Sequence, residues 1–202
     1  MDCDDSFGGG HVNRDGGVHV KNIVLVMVGG LLSACAITSV DEFPVRTPRQ
    51  FLIDVKAVVD SGDLGNVDFV ASRLRIDYRL DAKEVVYDKS GKSIKGYGVE
   101  VRRIASSKEY ERHGNFNYRI FRPENSDFYR AGLSFQMDVG VICVTPYDLI
   151  DVLGDVEKYP IAHLTWWAYM YESKGVNSRA NFSIDRGGCV HQINISMNRE
   201  RG

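Results

Sequence analysis

The side chains able to do chemistry are few and scattered. Downstream of Cys35 the histidines are His113, His163 and His191, and the remaining cysteines are Cys143 and Cys189. None falls in an H-x-x-x-H, H-E-x-x-H or C-x-x-C spacing, the local arrangements that bring metal ligands together, so neither a metal site nor a cofactor is expected. The sequence has no G-x-S-x-G elbow and no glycine loop to cradle phosphate. The nearest approach to a nucleophilic site is His163 and His191 on predicted strands that could be neighbours, with Asp185 close to the second, completing a Ser-His-Asp set from distant positions. Ordinary strand histidines with satisfied ring nitrogens are the simpler reading. No catalytic residue is assigned, and the expectation is a protein that is not an enzyme.

The aromatic residues are more suggestive. Trp166, Trp167, Tyr169 and Tyr171 share one predicted strand, where alternation sends Trp167, Tyr169 and Tyr171 to one face and Trp166, Ala168 and Met170 to the other. One face must be core. If the other is exposed, it offers a partner protein the residue types that dominate interface energetics. The competing reading packs both tryptophans beneath helices. A glycan- or peptidoglycan-binding face is a third reading, and no paired carboxylates accompany it.

Position in the cell is written more plainly than chemistry. Lys21 is followed by an apolar run from Ile23 to Leu32, then by Ser33, Ala34 and Cys35. The run is too short for a permanent membrane span, which needs about 20 apolar residues, and its pattern is that of an address. The tetrad Leu32-Ser33-Ala34-Cys35 resembles the lipobox of bacterial lipoproteins. That resemblance implies a signal peptide over residues 20–34, removal at Cys35, and acylation of Cys35, with palmitate among the chains. Ala36 in place of Asp after the cysteine implies residence in the outer membrane, facing the periplasm. Residues 1–19, rich in Asp and Gly, read as an over-called leader, with translation starting near Val20, or as a disordered acidic segment.

Taking the four acids and two bases ahead of Cys35 from the 27 and 25 of the whole chain leaves a formal charge of zero. Nothing basic enough to collect nucleic acid remains, and membrane attachment falls to the acyl chains. With Cys3 in the leader and Cys35 acylated, export to an oxidising compartment makes a Cys143–Cys189 disulfide the natural expectation, with two unpaired buried thiols as the alternative.

The elements that must position these residues begin after a tether over residues 35–46. Thr47-Pro48-Arg49-Gln50 is a helix start, with Thr47 as cap, Pro48 in the first turn and Gln50 able to close a capping box. Phe51, Leu52, Val55, Val58 and Val59 follow at helical spacing and Ser61-Gly62 ends the run. Asn66 caps a shorter helix through Arg73, and Leu74 to Leu80 alternates as a half-buried strand. Further strands are expected at residues 84–87, 97–104, 115–121, 131–137, 141–144, 163–171, 181–184 and 190–197. A second capped helix starts at Thr145-Pro146 and stops at Gly154. The polar run from Lys108 to Asn115 reads as a solvated loop or helix edge. The expected fold class is α+β, an antiparallel sheet with a few helices on one face, as one periplasmic domain over residues 47–202.

Both helices carry Leu-Ile-Asp-Val, at residues 52–55 and 149–152. That string is short enough for chance, but with a helix and then strands following each time it suggests tandem repeats over 47–140 and 141–202. The second unit, through Thr145-Pro146-x-x-Leu149, Val152-Leu153-Gly154, Trp166-Trp167-Ala168-Tyr169 and Phe182 to Gly188, resembles the small lipoprotein module of the SmpA/OmlA type. That module belongs to the fold group of the β-lactamase inhibitor protein, whose members bind other proteins through a sheet surface. The chain has Val144 where the family usually has Gly. The function expected is that of a lipid-anchored, non-enzymatic protein-binding module, an immunity or inhibitor protein against an envelope-active effector or hydrolase. A structural accessory of outer-membrane assembly and an envelope hydrolase are the alternatives.

Overall fold

The computed structural model describes residues 39–161 and 167–198. The expected leader, signal peptide and Cys35, with Trp166 and His163, lie outside the described residues. The helices form where the caps require. In α1 (Pro48–Ser61) the Thr47 hydroxyl accepts from the Gln50 amide, and the Gln50 side chain accepts from the Thr47 amide at 3.1 Å. The helix buries Phe51, Leu52, Val55, Val58 and Val59, and Gly62 ends it at φ 59°, a conformation that favours glycine. In α2 (Val67–Leu74) Asn66 caps the Phe69 amide. Leu74 completes this helix, whereas alternation assigned it to the next strand, and Arg75 at φ 55° makes the turn. In α3 (Pro146–Leu153) Thr145 and Asp148 form a second capping box. No helix among the described residues is long and apolar enough to cross a membrane.

Among the described residues, nine strands form one antiparallel sheet: β1 (Ile76–Leu80), β2 (Glu84–Tyr87), β3 (Ile94–Ser106), β4 (Phe116–Pro123), β5 (Arg130–Gln136), β6 (Glu157–Pro160), β7 (Trp167–Glu172), β8 (Ser178–Ile184) and β9 (Val190–Met197). Their order is β1-β3-β4-β5-β9-β8-β7-β6, with β2 also paired to β3. Each half of this order is a meander that follows its own lead helix. The halves meet at their last strands, β5 against β9. The fold is thus α+β, as expected.

One face of the sheet is core. Leu133, Phe135, Ile193, Ile195, Ala180 and Phe182 pack there against the buried side of α1 and its neighbours. Their alternates point to the other face, which no helix among the described residues covers. An antiparallel sheet tolerates this because its two faces can differ in polarity.

Three expectations need correcting. Residues 141–144 form no strand: the Val141 and Ile142 amides both return to the Asp138 carbonyl, and only Val144 reaches the sheet, accepting from the Val190 amide at 2.8 Å. The short edge strand β6 was not expected, because Glu-Lys-Tyr-Pro shows no alternation. Its Pro160 is tolerated there because an edge strand has one unpaired side. The run from Lys108 to Asn115 is not wholly solvated, since Glu109 and Tyr110 are buried. Glu109 is held by Arg46, the last residue of the expected tether. The Arg46 amide and Nε donate to Glu109 Oε1 at 2.9 and 3.0 Å, and Nη1 donates to Asp54 at 3.0 Å and to the Arg73 carbonyl.

Candidate functional site

The expected disulfide forms. Cys143 and Cys189 are bonded with their Cα atoms 5.1 Å apart, tying the segment ahead of α3 to the opening of β9. Asp185, the acid considered for a catalytic set, belongs to the adjoining hairpin turn, where its carboxylate accepts from the Cys189 amide at 2.9 Å. His113 is exposed and His191 half-buried on β9. No group of three His, Cys, Asp or Glu among the described residues could hold a metal ion.

The aromatic strand is placed differently from the binding reading. Trp167, Tyr169 and Tyr171 do share a face, but it is the core face. Tyr169 and Tyr171 are 8% and 7% exposed and belong to the hydrophobic cluster, so they are not partner-binding residues. Trp167, at the open end of β7, is 47% exposed with Lys158 Nζ 4.3 Å above its ring. Periodicity decides which residues share a face, and the position of the helices decides which face is core.

Tyr171 instead ties the sheet to α1. Its hydroxyl donates to Asp60 at 2.7 Å and accepts from Lys56 Nζ at 2.6 Å, while Lys56 and Asp60 also pair directly. Burial and Asp60 push the Tyr171 phenol up, against the opposing effect of Lys56. Hydrogen bonds to Asp60 and Tyr171 push Lys56 up as well. Both groups keep their protons more firmly than usual, opposite to what a nucleophilic lysine or phenolate needs.

The uncovered face of the sheet carries the more distinctive arrangement. None of the four central strands, β4, β5, β9 and β8, contains an Asp or a Glu. Their open side presents Asn, Ser and Gln with Arg119, Arg130 and Arg179. Strand register aligns one row across six strands: Glu100, Arg119, Gly132, Ser196, Arg179 and Glu172. The order is an acid, a base, two small residues, a base and an acid, with the small residues on the seam between the halves. At a strand spacing of roughly 4.8 Å, the two arginine backbones stand about 14 Å apart.

The gap between them is a depression of about 490 Å3, floored by Gly132 and Ser196. It adjoins a second, of about 710 Å3, that reaches the hairpins carrying Phe128 and Val176. Arg130 and Arg179 line both. Arg179 Nε donates to Ser196 Oγ at 3.4 Å, and its Nη1 is 3.9 Å from Glu172. Arg119 lies over Gly98, whose missing side chain leaves it room. Sequence reasoning missed this site. The acid-free strands were visible in the sequence, but the row exists only once β5 is paired to β9.

A face of fixed hydrogen-bonding groups with cations at its centre and acids at its rim is suited to receiving anionic groups from a partner. No protein-family model, curated protein or solved structure matches this chain.

Proposed function

We propose that this protein is a lipid-anchored, non-enzymatic binding module of the bacterial envelope that occludes an acidic surface of a partner protein with the open face of its sheet. The partner class is an envelope-active effector or hydrolase, held inactive in the manner of an immunity or inhibitor protein. The anchor is acylated Cys35, on the outer membrane facing the periplasm. The single observation that carries the binding reading is the row Glu100-Arg119-Gly132-Ser196-Arg179-Glu172 on an uncovered face whose four central strands have no acid. Two lead helices, each followed by a meander, joined in one sheet with a bare face, support it further, since the resemblance of the second unit implies binding through a sheet surface.

Gly132 supplies a clean test. Its backbone is outside the left-handed region and nothing lies within 4 Å of where a Cβ would be placed, so Gly132→Val fills the depression without straining the strand. The acylated protein is cross-linked in cells that make it, the partner is identified, and its affinity is measured against variants. Gly132→Val and Arg179→Ala are expected to weaken binding by at least ~30-fold, about 2 kcal/mol, with unfolding midpoints near wild type. Unchanged affinity in both variants overturns the assignment of this face. Labelled palmitate is expected to enter the protein and to be lost in Cys35→Ala, and a protein without label overturns the anchor.

A further inference from the structure

The chain enters the fold at one end of the sheet, and it is fixed there. Residues 40–42 form a short 3-10 turn against β3. The Arg75 guanidinium covers the Phe43 ring at 5.2 Å and donates to the Pro44 carbonyl at 2.8 Å. Arg46 is then locked on Glu109. From Ser39 onward the entering segment therefore cannot swing away from the domain.

Ser39 is only four positions beyond Cys35. Fully extended, that stretch spans at most about 14 Å. If Cys35 carries acyl chains in the periplasm-facing leaflet of the outer membrane, the end of the domain around Ser39 must lie within that distance of the headgroups. That proximity rests on the anchor proposed above.

The surface at that end is suited to such a neighbour. Ile104 is 69% exposed and borders two shallow grooves, one shared with Val40 and Phe43, the other with Val141 and Lys108. Val45, Val139 and Val141 are exposed as well. The charges around them are of both signs: Arg75, Arg103, Lys108 and Arg112 against Asp41, Asp77 and Asp138. A face of exposed branched aliphatics set among charges of both signs, with cations in slight excess, fits the headgroup layer of a phospholipid bilayer.

We infer that this end of the domain, with Ile104 and Val141 at the contact, rests against the headgroups of the membrane that holds the anchor. The arginine row then stands about 13 Å farther from the bilayer along β3. Along β3, Ile104 is four residues beyond Glu100, the member of that row, toward the entering chain. The depression extends the other way, to the hairpins of Phe128 and Val176. Membrane contact at one end and partner access at the other are thus compatible in a single orientation.

The test uses the full acylated protein in vesicles of phosphatidylethanolamine and phosphatidylglycerol. A fluorophore is attached at Ile104→Cys, at Val141→Cys or, as the far-end control, at Val176→Cys, and quenching by a headgroup nitroxide lipid is compared with quenching by aqueous iodide. The expected result is several-fold more lipid quenching at positions 104 and 141 than at 176, with the reverse order for iodide. Equal quenching at the three positions overturns the orientation while leaving the anchor intact. Shielding of position 104 from iodide without lipid quenching assigns the face to a protein, a second copy included, and also overturns it. A protein that lacks the acyl mass and does not float with the vesicles overturns both the anchor and the orientation.

Discussion

The same four residues, Leu-Ile-Asp-Val, stand in the lead helix of each half of the molecule, and they behave alike until the third. Leu52 and Leu149 are buried, while Ile53 and Ile150 face outward at 47% and 52% exposure. At the aspartate the halves part. Asp54 accepts from the buried Arg46, in the network that fixes the chain just ahead of α1. Asp151 pairs with Arg49 in the open, and the chain ahead of α3 is fixed by the Cys143–Cys189 bond instead. One task, holding the segment that enters a lead helix against the sheet, is done by charge in the first half and by covalent chemistry in the second. The difference has consequences. A buried ion pair depends on the protonation of its members and on every remaining partner, whereas a disulfide depends on an oxidising compartment and on neither.

The largest expected effect breaks the electrostatic side of this comparison. Arg46→Ala leaves Glu109 charged, buried and without its guanidinium, and also removes the cation over the Phe51 ring at 4.9 Å. The expected loss is about 5 kcal/mol, read from the urea midpoint at neutral pH. The double variant Arg46→Met with Glu109→Leu is expected to recover most of it, because the desolvation cost disappears with the charges. A single-variant loss near that of an exposed pair would show that Arg46 does not pin the first half.

Next comes the covalent side. The bond closes a sequence separation of 46 residues, and a loop of that size is worth about 4 kcal/mol in the chain-entropy model. Cys143→Ser, or reduction, is expected to lower the unfolding midpoint accordingly. Two titratable thiols in the oxidised mature protein would rule the bond out.

A smaller effect, dependence on pH, separates the two devices. Burial pushes the Glu109 carboxyl up, but the neighbouring Ser107 hydroxyl, backbone N–H groups and the Arg46 charge outweigh it, so the group titrates below its ordinary value. A folded-state value below the unfolded one contributes stability that is present above the unfolded value and is lost as pH falls through the folded one. Acidification from neutral through the carboxylate range is therefore expected to lower the midpoint, and Glu109→Gln to flatten that slope. Cys143→Ser is expected to lower the whole curve and leave its slope unchanged. Parallel slopes for Glu109→Gln and wild type would remove Glu109 from the account.

What was legible in the sequence was local. Both Thr-Pro caps, Gly62 at the end of α1 and the strands expected at residues 131–137, 181–184 and 190–197 are statements about neighbours a few residues apart, and these held. The Arg46–Glu109 pair spans 63 positions and was not legible. Glu109 sits in a polar run whose composition reads as solvent-exposed, and burial of a charge is decided by a partner that no local pattern names. The candidate site was hidden for the same reason. The aromatic strand was read correctly as a period, which left open which face is core, while the arginine row needed the register between β5 and β9, in which Gly132 pairs with Ser196 far along the chain.

The smallest effect probes how closely the two lead helices match at their first turns. In α3 the capping box is closed by a carboxylate: Asp148 Oδ2 accepts from the Thr145 amide at 2.8 Å and from its hydroxyl at 2.6 Å. In α1 the equivalent acceptor is the neutral Gln50 Oε1, 3.1 Å from the Thr47 amide, and the first turn has no acid. A negative charge at a helix N-terminus is worth roughly 0.3–1 kcal/mol through the helix dipole, so the second half holds an increment that the first lacks. Gln50→Glu is therefore expected to stabilise the protein by about 0.5 kcal/mol, and Asp148→Asn to destabilise it by about the same amount. Both changes should shrink in high salt, since the first turns are exposed enough to be screened. Should Gln50→Glu prove neutral at low salt while Asp148→Asn still costs stability, the value of Asp148 lies in its hydrogen bond to the Thr145 hydroxyl and not in its charge. The caps would then match in geometry but not in electrostatics, which is also how the two halves differ at Asp54 and Asp151.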